Sequence, residues 1–447
     1  MPERIRRVQA ARVLIWGREV GAVAWNAERQ LGSFEFAPSF LRGGPDLAPL
    51  TMPLRPGIFS FPALSRDTFR GLPGLLADSL PDRFGNALIG LWLRQRGRDP
   101  EDFSPVERLC YIGSRGMGAL EFAPPLVRDP KQPVPLEVAE LALLAKEILA
   151  RRAELSVKLR GARAEALATI IRVGTSAGGA RAKAVVAWNR ATDELRSGQT
   201  GSSPGFEPWI LKFDGVRDQA LGDPEGYGRI EMAYHRMAVA AGIVMTECRL
   251  LEEGSRAHFM TRRFDRDADG NRIHMQSLCA LGHYDFNMAG AYGYEHALAA
   301  IQRLNLGHES LRQMYRRMVF NVIARNQDDH TRNIAFLMDP QGRWSLAPAF
   351  DVIWAFNEEG RWTSRHQMSV NGKQDGFERK DLLAVAGVFG VRNPGEVIEE
   401  VGTAVTRWPA LAREAGVSAP MIRRIAGTHR LGLAGAGTPP TAAGIAR

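Results

Sequence analysis

The sequence predicts an α+β fold that is β-rich at its start, mixed in its middle and mainly helical towards its end. Three observations carry that prediction. Residues 12–38 alternate short apolar runs with turns (VLIWG, VGAVAWN, LGSFEFAP), as an antiparallel meander does. Between residues 174 and 277, turns rich in glycine separate strand-like runs such as KAVVAW and WILKF. From there to about Arg430 the apolar residues recur mostly at helical spacing.

Taken in order, the meander is followed by a helical pattern over residues 59–93, interrupted at Pro81 and Asp82. Asp82 is the expected cap of the helix carrying Leu88, Ile89 and Leu91. The glycines of YIGSRGMGALEFAP (Gly113, Gly116 and Gly118) invite a phosphate-loop reading. No lysine or serine follows at the required spacing, so a glycine turn packed on a strand is expected instead. DPKQPVP over 129–135 reads as a linker, and residues 136–173 read as one long or two short helices. GTSAGGARAKAVVAWN turns into a strand, GQTGSSPGFEP is loop, and WILKF is a short strand. A helix is expected from Gly228 to Ala241, with Glu231 in its first turn. The stretch from Glu247 to Leu278 reads as strand, turn and strand, and the last residues, AGAGTPPTAAGIAR, as a disordered tail.

Composition sets the bounds. At 447 residues, 45% apolar and 24% charged, the chain has the make-up of a soluble globular protein with two or three domains. No run of about 18 apolar residues is present, so no membrane span is expected. The basic start holds only Val13–Trp16 as an apolar piece, too short for a secretory signal, and a cytoplasmic location follows as the expectation. Cys110, Cys248 and Cys279 are far apart and form no metal-type pair, so they read as buried thiols. The formal charge of +9 comes from dispersed arginines, with no aromatic-interleaved basic stripe or recognition helix. Solvated arginine is the default reading, and autonomous DNA recognition is not expected.

Chemistry concentrates in RNQDDHTRNIAFLMDPQGRWSLAPAFD, residues 325–351. Asp328 precedes Asn333 by five positions, and a turn at Asp339–Gly342 between two apolar runs leads to Asp351. Phosphoryl transfer with bound magnesium needs a carboxylate to orient the attacking hydroxyl and accept its proton. It also needs an amide oxygen and a second carboxylate to hold metal against the phosphates. A plain helix-to-strand loop would use the same residues as caps and turns. Upstream elements favour the chemical reading: a glycine turn at Gly174–Ala180, Lys212 as the only charge in WILKF, and Glu231 as its possible partner. Each has a plainer account. The lysine stem can cover apolar surface, the glutamate can complement a helix dipole, and the glycines do not match G-x-G-x-x-G. Their joint order favours an ATP-dependent kinase site in a two-lobed, protein-kinase-like core. The expected boundaries are 1–128 for an N-terminal β-rich subdomain, 129–171 for linker and helical insert, 172–265 for the small lobe, 266–432 for the mainly helical catalytic lobe and 433–447 for the tail. Asp265, Asp267, Asp269 and Gly270 match the first half of a calcium loop, but Gln276 stands where its bidentate glutamate belongs, so an Asp269-Gly270 hairpin is expected.

Over nearly its whole length the chain resembles the HipA family, serine/threonine kinase toxins of type II toxin–antitoxin pairs. LPDRFGN and GSRGMGALEF resemble the family's N-terminal subdomain, GTSAGGARAKA its phosphate loop, WILKF its lysine strand, RRFDR the strand leaving its small lobe, DDHTRN its catalytic loop and PAFDV its metal-binding aspartate. The resemblance implies ATP and Mg2+ as cofactors, with Asp328 as catalytic base, Lys212 and Glu231 assisting, and Asn333 and Asp351 as magnesium ligands. It places Ser176, Ala177, Gly178, Gly179, Ala180, Lys183 and Lys212 along the phosphates, Arg262, Arg263 and Phe264 at the adenine hinge, and His330 beside the nucleotide. Ser176, next to Thr175, stands where the family autophosphorylates and silences itself; a dianion there repels ATP phosphates. The implied partners are a protein substrate such as an aminoacyl-tRNA synthetase, a helix-turn-helix antitoxin and, mainly through it, operator DNA. A catalytically degenerate regulatory subunit and a small-molecule phosphotransferase are the rival readings. Asp329 and Arg332 depart from the family pattern, and the extra carboxylate is expected either to bring in a cation or to raise the pKa of the base.

Overall fold

The computed structural model describes residues 6–127, 136–150, 169–171, 173–174, 181–198, 204–216 and 226–435. Its chain forms two compact units. The first takes the described residues of Met1–Gly228 with Glu247–His283 and Phe336–Trp344; the second takes Arg229–Thr246, Tyr284–Ala335 and those of Ser345–Arg447.

The first unit begins with the expected meander. Strands β1 (Ala10–Ile15), β2 (Arg18–Asn26) and β3 (Leu31–Phe36) pair antiparallel, with β4 (Ile58–Phe59) and β5 (Leu120–Ala123) at the edges in the order β4-β3-β2-β1-β5. Trp16 and Gly17, with φ of 47° and 75°, make the two-residue turn whose twist suits a hairpin. Asp82 caps α1 (Arg83–Arg94) as expected, its Oδ1 accepting the Gly85 N–H at 2.6 Å, a contact worth about 1 kcal/mol. Ser104 and Glu107 form a reciprocal cap on α2 (Pro105–Ile112). The glycine turn before β5 is structural: Gly118, at φ 72°, donates its N–H to Asp265 at 2.7 Å. Helix α3 (Val138–Ala150) opens the expected helical insert, and residues 151–168 lie outside the described residues, as does the 129–135 linker.

A second sheet holds β6 (Lys183–Asn189), β7 (Glu194–Ser197), β8 (Phe206–Lys212), β9 (Cys248–Glu253) and β10 (Arg256–Arg262) in the order β7-β6-β8-β10-β9. Alternation along the strands gives it two faces. Ala184, Val186, Trp188, Trp209, Leu211 and Met260 join one core with Phe84, Leu88 and Trp92 of α1 and Leu141 and Ile148 of α3. The opposite face carries Lys183, Lys212 and Phe259 at paired positions. After β10 the Asp267–Asn271 turn closes on itself: the Asp267 carboxylate accepts N–H groups of Asp269 and Asn271 at 2.9 and 2.8 Å. Strand β11 (His274–Ser277) follows, and a third sheet sets it beside the hairpin strands β12 (Ala335–Met338) and β13 (Trp344–Leu346) in the order β11-β12-β13.

The second unit is mainly helical: α4 (Tyr227–Ala240, from Arg229 on), α5 (Tyr294–Arg303), α6 (Gly307–Ala324), α7 (Arg379–Phe389), α8 (Pro394–Thr406), α9 (Trp408–Glu414) and α10 (Ala419–Ala426). One expectation needs correction. Because α4 starts at Tyr227, Glu231 falls in its second turn, where it is 2% exposed, so dipole complementation in the first turn does not explain it. Residues 347–378 fall in the region expected to be mainly helical, yet they are irregular, held by side-chain and backbone hydrogen bonds. The expected tail boundary at 433 falls inside a 3-10 turn, Leu431–Ala434, and residues 436–447 lie outside the described residues. The three cysteines are buried and free, and among the described residues no helix is long and apolar enough to cross a membrane.

Candidate active site

The loop after α6 is built on satisfied helix-end carbonyls. Tyr234 of α4 donates its hydroxyl to the Ala324 carbonyl at 2.6 Å, and Arg325 ends the helix in the left-handed conformation at φ 59°. The chain then pairs with Ala355: the Gln327 N–H reaches the Ala355 carbonyl, and the Ala355 N–H reaches that of Arg325, both at 3.1 Å. This pairing brings the segment that begins at Asp351 alongside the loop carrying Asp328.

Asp328 is half-exposed, its side chain 47% accessible. Its carbonyl accepts the Asn333 Nδ2–H at 2.8 Å. With its nitrogen engaged, Asn333 has Oδ1 as its remaining side-chain acceptor. Asp351 adopts φ 51°, a conformation that aspartate tolerates better than most residues. Asn333 and Asp351 line one small cavity of about 30 Å3 in this unit, together with His330 and Asp329. Their hard oxygen donors suit magnesium, which takes one or two carboxylates and completes its shell from phosphate and water. Among the described residues no cluster of three or more His, Cys, Asp or Glu is placed to hold a metal ion.

The neighbours of these residues have separate tasks. His330 places Nε2 3.9 Å from the Asp328 carboxylate and packs its ring 5.3 Å from that of Phe286. Arg332 lies over the same ring at 5.5 Å. Asp329, adjacent to Asp328, is 4% exposed. It accepts hydrogen bonds from the Tyr294 hydroxyl at 2.8 Å, His366 Nδ1 at 2.7 Å and the Gln367 N–H at 2.8 Å. Sequence reasoning singles out Asp329 but misses Tyr294, His366 and Gln367, since no local pattern announces partners 35 to 38 residues away.

In the first unit, Lys183 and Lys212 are directly opposed across β6 and β8, and the Lys212 ammonium lies 5.5 Å from the Phe259 ring. At the expected hinge, the Arg262 N–H donates to the Glu247 carbonyl at 2.9 Å, and Phe264 is half-buried. The Arg263 side chain is engaged elsewhere: its Nε and a terminal nitrogen grip the two Asp265 oxygens at 2.8 and 2.7 Å. Burial alone would raise the Asp265 pKa, but the Arg263 and Arg266 guanidiniums hold it well below the usual carboxylate range. Its backbone N–H is also taken, donating to the Pro208 carbonyl at 2.9 Å, which leaves the Arg263 carbonyl to meet a base. The occupied Asp265 and the self-closed Asp267 turn also dispose of the calcium loop. Ser176, Ala177, Gly178, Gly179 and Ala180, with Thr175, lie outside the described residues.

These features define a class: an α+β, kinase-like chain with a β-rich N-terminal region and a helical C-terminal region. The chain belongs to the HipA family: the HipA-like C-terminal domain matches residues 175–408, more than half its length, and the HipA N-terminal domain matches residues 11–123. It is 26% identical over 344 residues to a Sinorhizobium fredii protein named "Putative kinase Y4mE", covering 72% of this chain and 68% of that one. Among solved structures it resembles HipA of Shewanella oneidensis, determined with HipB and operator DNA, at a TM-score of 0.64 and 17% identity, covering 95% of this chain and 96% of that one. That likeness gives the fold.

Proposed function

We propose that this chain is an ATP- and magnesium-dependent serine/threonine kinase of the HipA type. The observation that carries the reading is the clamp between the Asp328 carbonyl and Asn333 Nδ2, with Asn333 and Asp351 lining one cavity and the Asp328 carboxylate half-exposed on the same loop as Asn333. In this reading Asp328 orients the attacking hydroxyl and accepts its proton, and Asn333 and Asp351 supply the metal's protein oxygens. Bound magnesium supplies charge neutralisation on the transferring phosphoryl group. Lys183 and Lys212 offer the phosphates two opposed ammonium groups. Glu231 takes the helix-glutamate role and Arg262–Phe264 the hinge role, Arg263 through its carbonyl alone. The proposed phosphate-loop role falls to Ser176–Ala180, with Ser176 the self-phosphorylated residue. The partnership of the Shewanella relative with HipB and DNA supports an antitoxin partner here, and a protein substrate completes the reading.

Incubation with labelled ATP and magnesium tests the assignment. Wild-type protein should incorporate phosphate, and Asp328→Asn and Asp351→Asn should not, while retaining the wild-type circular dichroism spectrum. Full incorporation by either folded variant refutes the roles. Phosphate appearing on a metabolite instead of a protein would move the chain to the small-molecule phosphotransferases.

A further inference from the structure

We infer that Asp329 is a positioning residue which, with His366, fixes the backbone presenting Asp328 and Asn333, and that it does not ligate metal. Its catalytic consequence rests on the kinase reading above; its structural content does not.

The hydrogen-bond directions around it can be assigned. His366 Nε2 lies 3.0 Å from an Arg430 guanidinium nitrogen, which can only donate, so Nε2 accepts and Nδ1 carries the proton given to Asp329. Asp329 Oδ2 thus receives the Tyr294 hydroxyl and the His366 N–H, and Oδ1 receives the Gln367 N–H. The chain of bonds continues both ways. Asn326 Nδ2 donates to Asn321 Oδ1, and Asn321 Nδ2 to the Tyr294 hydroxyl, at 3.0 and 2.8 Å. At the far end Arg430 holds Asp375 and reaches Gln327 Oε1 at 3.3 Å. Gln327 is further gripped by Arg325 at 2.8 Å and donates to the Thr363 carbonyl at 2.9 Å. Asp328 therefore sits between two residues tied down through their side chains, while its own carboxylate stays accessible. Such a chain stiffens the loop because each side chain in it is held by the next.

The competing role is metal ligation, because Asp329 borders the same cavity as Asn333 and Asp351. With three acceptor sites filled and a side chain 1% exposed, it is ill placed to serve a cation. Asp329→Asn separates the two. Whichever way the amide turns, its NH2 faces a donor: the Gln367 N–H on one side, or the Tyr294 hydroxyl and His366 N–H on the other.

The test uses the full chain and two readouts. Hydrogen exchange of the peptide spanning residues 325–334 should accelerate by about tenfold or more in Asp329→Asn and in His366→Ala. Phosphate incorporation should fall in kcat by about tenfold or more, with the ATP KM and the magnesium concentration for half-activation unchanged within about twofold. The double variant should be no worse than the poorer single one, since both cut the same chain. Asp328→Asn serves as control, losing incorporation while its loop exchange stays as in wild type. Unchanged loop exchange in Asp329→Asn overturns the inference, and so does a rise of about tenfold in the magnesium requirement, which would make Asp329 a ligand. Should Asp329→Asn not fold, His366→Ala decides by the same exchange criterion. If wild-type protein incorporates no phosphate, the kinase reading falls, and the exchange comparison still decides the positioning claim.

Discussion

Replacing Asp265 by alanine should cost the first unit about 3–5 kcal/mol, the usual penalty for removing one partner from a buried ion pair. The carboxylate is 0% exposed and collects Arg263 at 2.8 and 2.7 Å, Arg266 at 2.9 Å and the Gly118 N–H at 2.7 Å. Its loss strands the Arg263 guanidinium where water cannot replace it. Arg266 keeps 11% of its side chain accessible and is partly rescued, which favours the lower end, about 3 kcal/mol. Urea unfolding followed by tryptophan fluorescence should show the midpoint falling by about 1 M or more. The loss should be constant above about pH 5, because a depressed carboxylate contributes in full above its unfolded pKa, near 3.9, and its contribution is lost only as pH falls through the folded value. A paired Arg263→Met, Asp265→Leu variant should regain most of the stability, since matched apolar groups replace buried charge well. A single-variant loss under about 1 kcal/mol would show that the guanidiniums find other partners, and the account of Arg263 as held by Asp265 would fail with it.

Three other outcomes are expected. His283 accepts the Gly74 N–H on Nε2 at 3.1 Å, and burial pushes its pKa down to about 4, so the unfolded chain binds a proton below about pH 6.5 that the folded chain refuses. Stability should therefore fall as pH drops from about 6.5 to 4, and His283→Gln should flatten that fall by up to about 1.4 kcal/mol per pH unit in urea titrations. Lys212→Met should weaken ATP binding by about 1.5–3 kcal/mol, read by calorimetry, and wild-type affinity in the variant would remove the lysine from the phosphate site. Phosphopeptide mapping after autophosphorylation should place the phosphate on Ser176; a different site would end the self-silencing proposal.

Much of the fold was legible where the signal is local. The meander follows from period-2 alternation and turn residues, the α1 cap from Asp82 ahead of an apolar helical run, and the 339–342 turn from Asp-Pro-Gln-Gly. The calcium loop could be rejected from Gln276 alone. What stayed hidden depends on contacts distant in sequence. Nothing in either segment announces that Trp209 and Leu211 share a core with Leu88 and Trp92. Residues 347–378 hold their shape through bonds such as Gln327 to the Thr363 carbonyl, which no periodicity encodes. The start of α4 at Tyr227 rather than Gly228 is a one-residue difference of the kind helix ends usually show.

The adjacent acidic pair shows where reading by motif stops. Asp328 and Asp329 have the same chemistry and neighbouring positions, and in the sequence only the spacing to Asn333 and the family resemblance tell them apart. Burial and partners separate them: one carboxylate is 47% accessible, and the other is closed off by three donors. A hydroxyl and two N–H groups converge on Asp329, with the Arg430 guanidinium behind His366, so this second carboxylate is satisfied within its own hydrogen-bond set. A small residue in place of Asp329 removes that charge but also the acceptor that ties α5, residues 366–367 and Arg430 to the loop. The departure from the family pattern is therefore read as an exchange of a passive neighbour for an anchor, with His366 and Arg430 as the residues that make it tolerable.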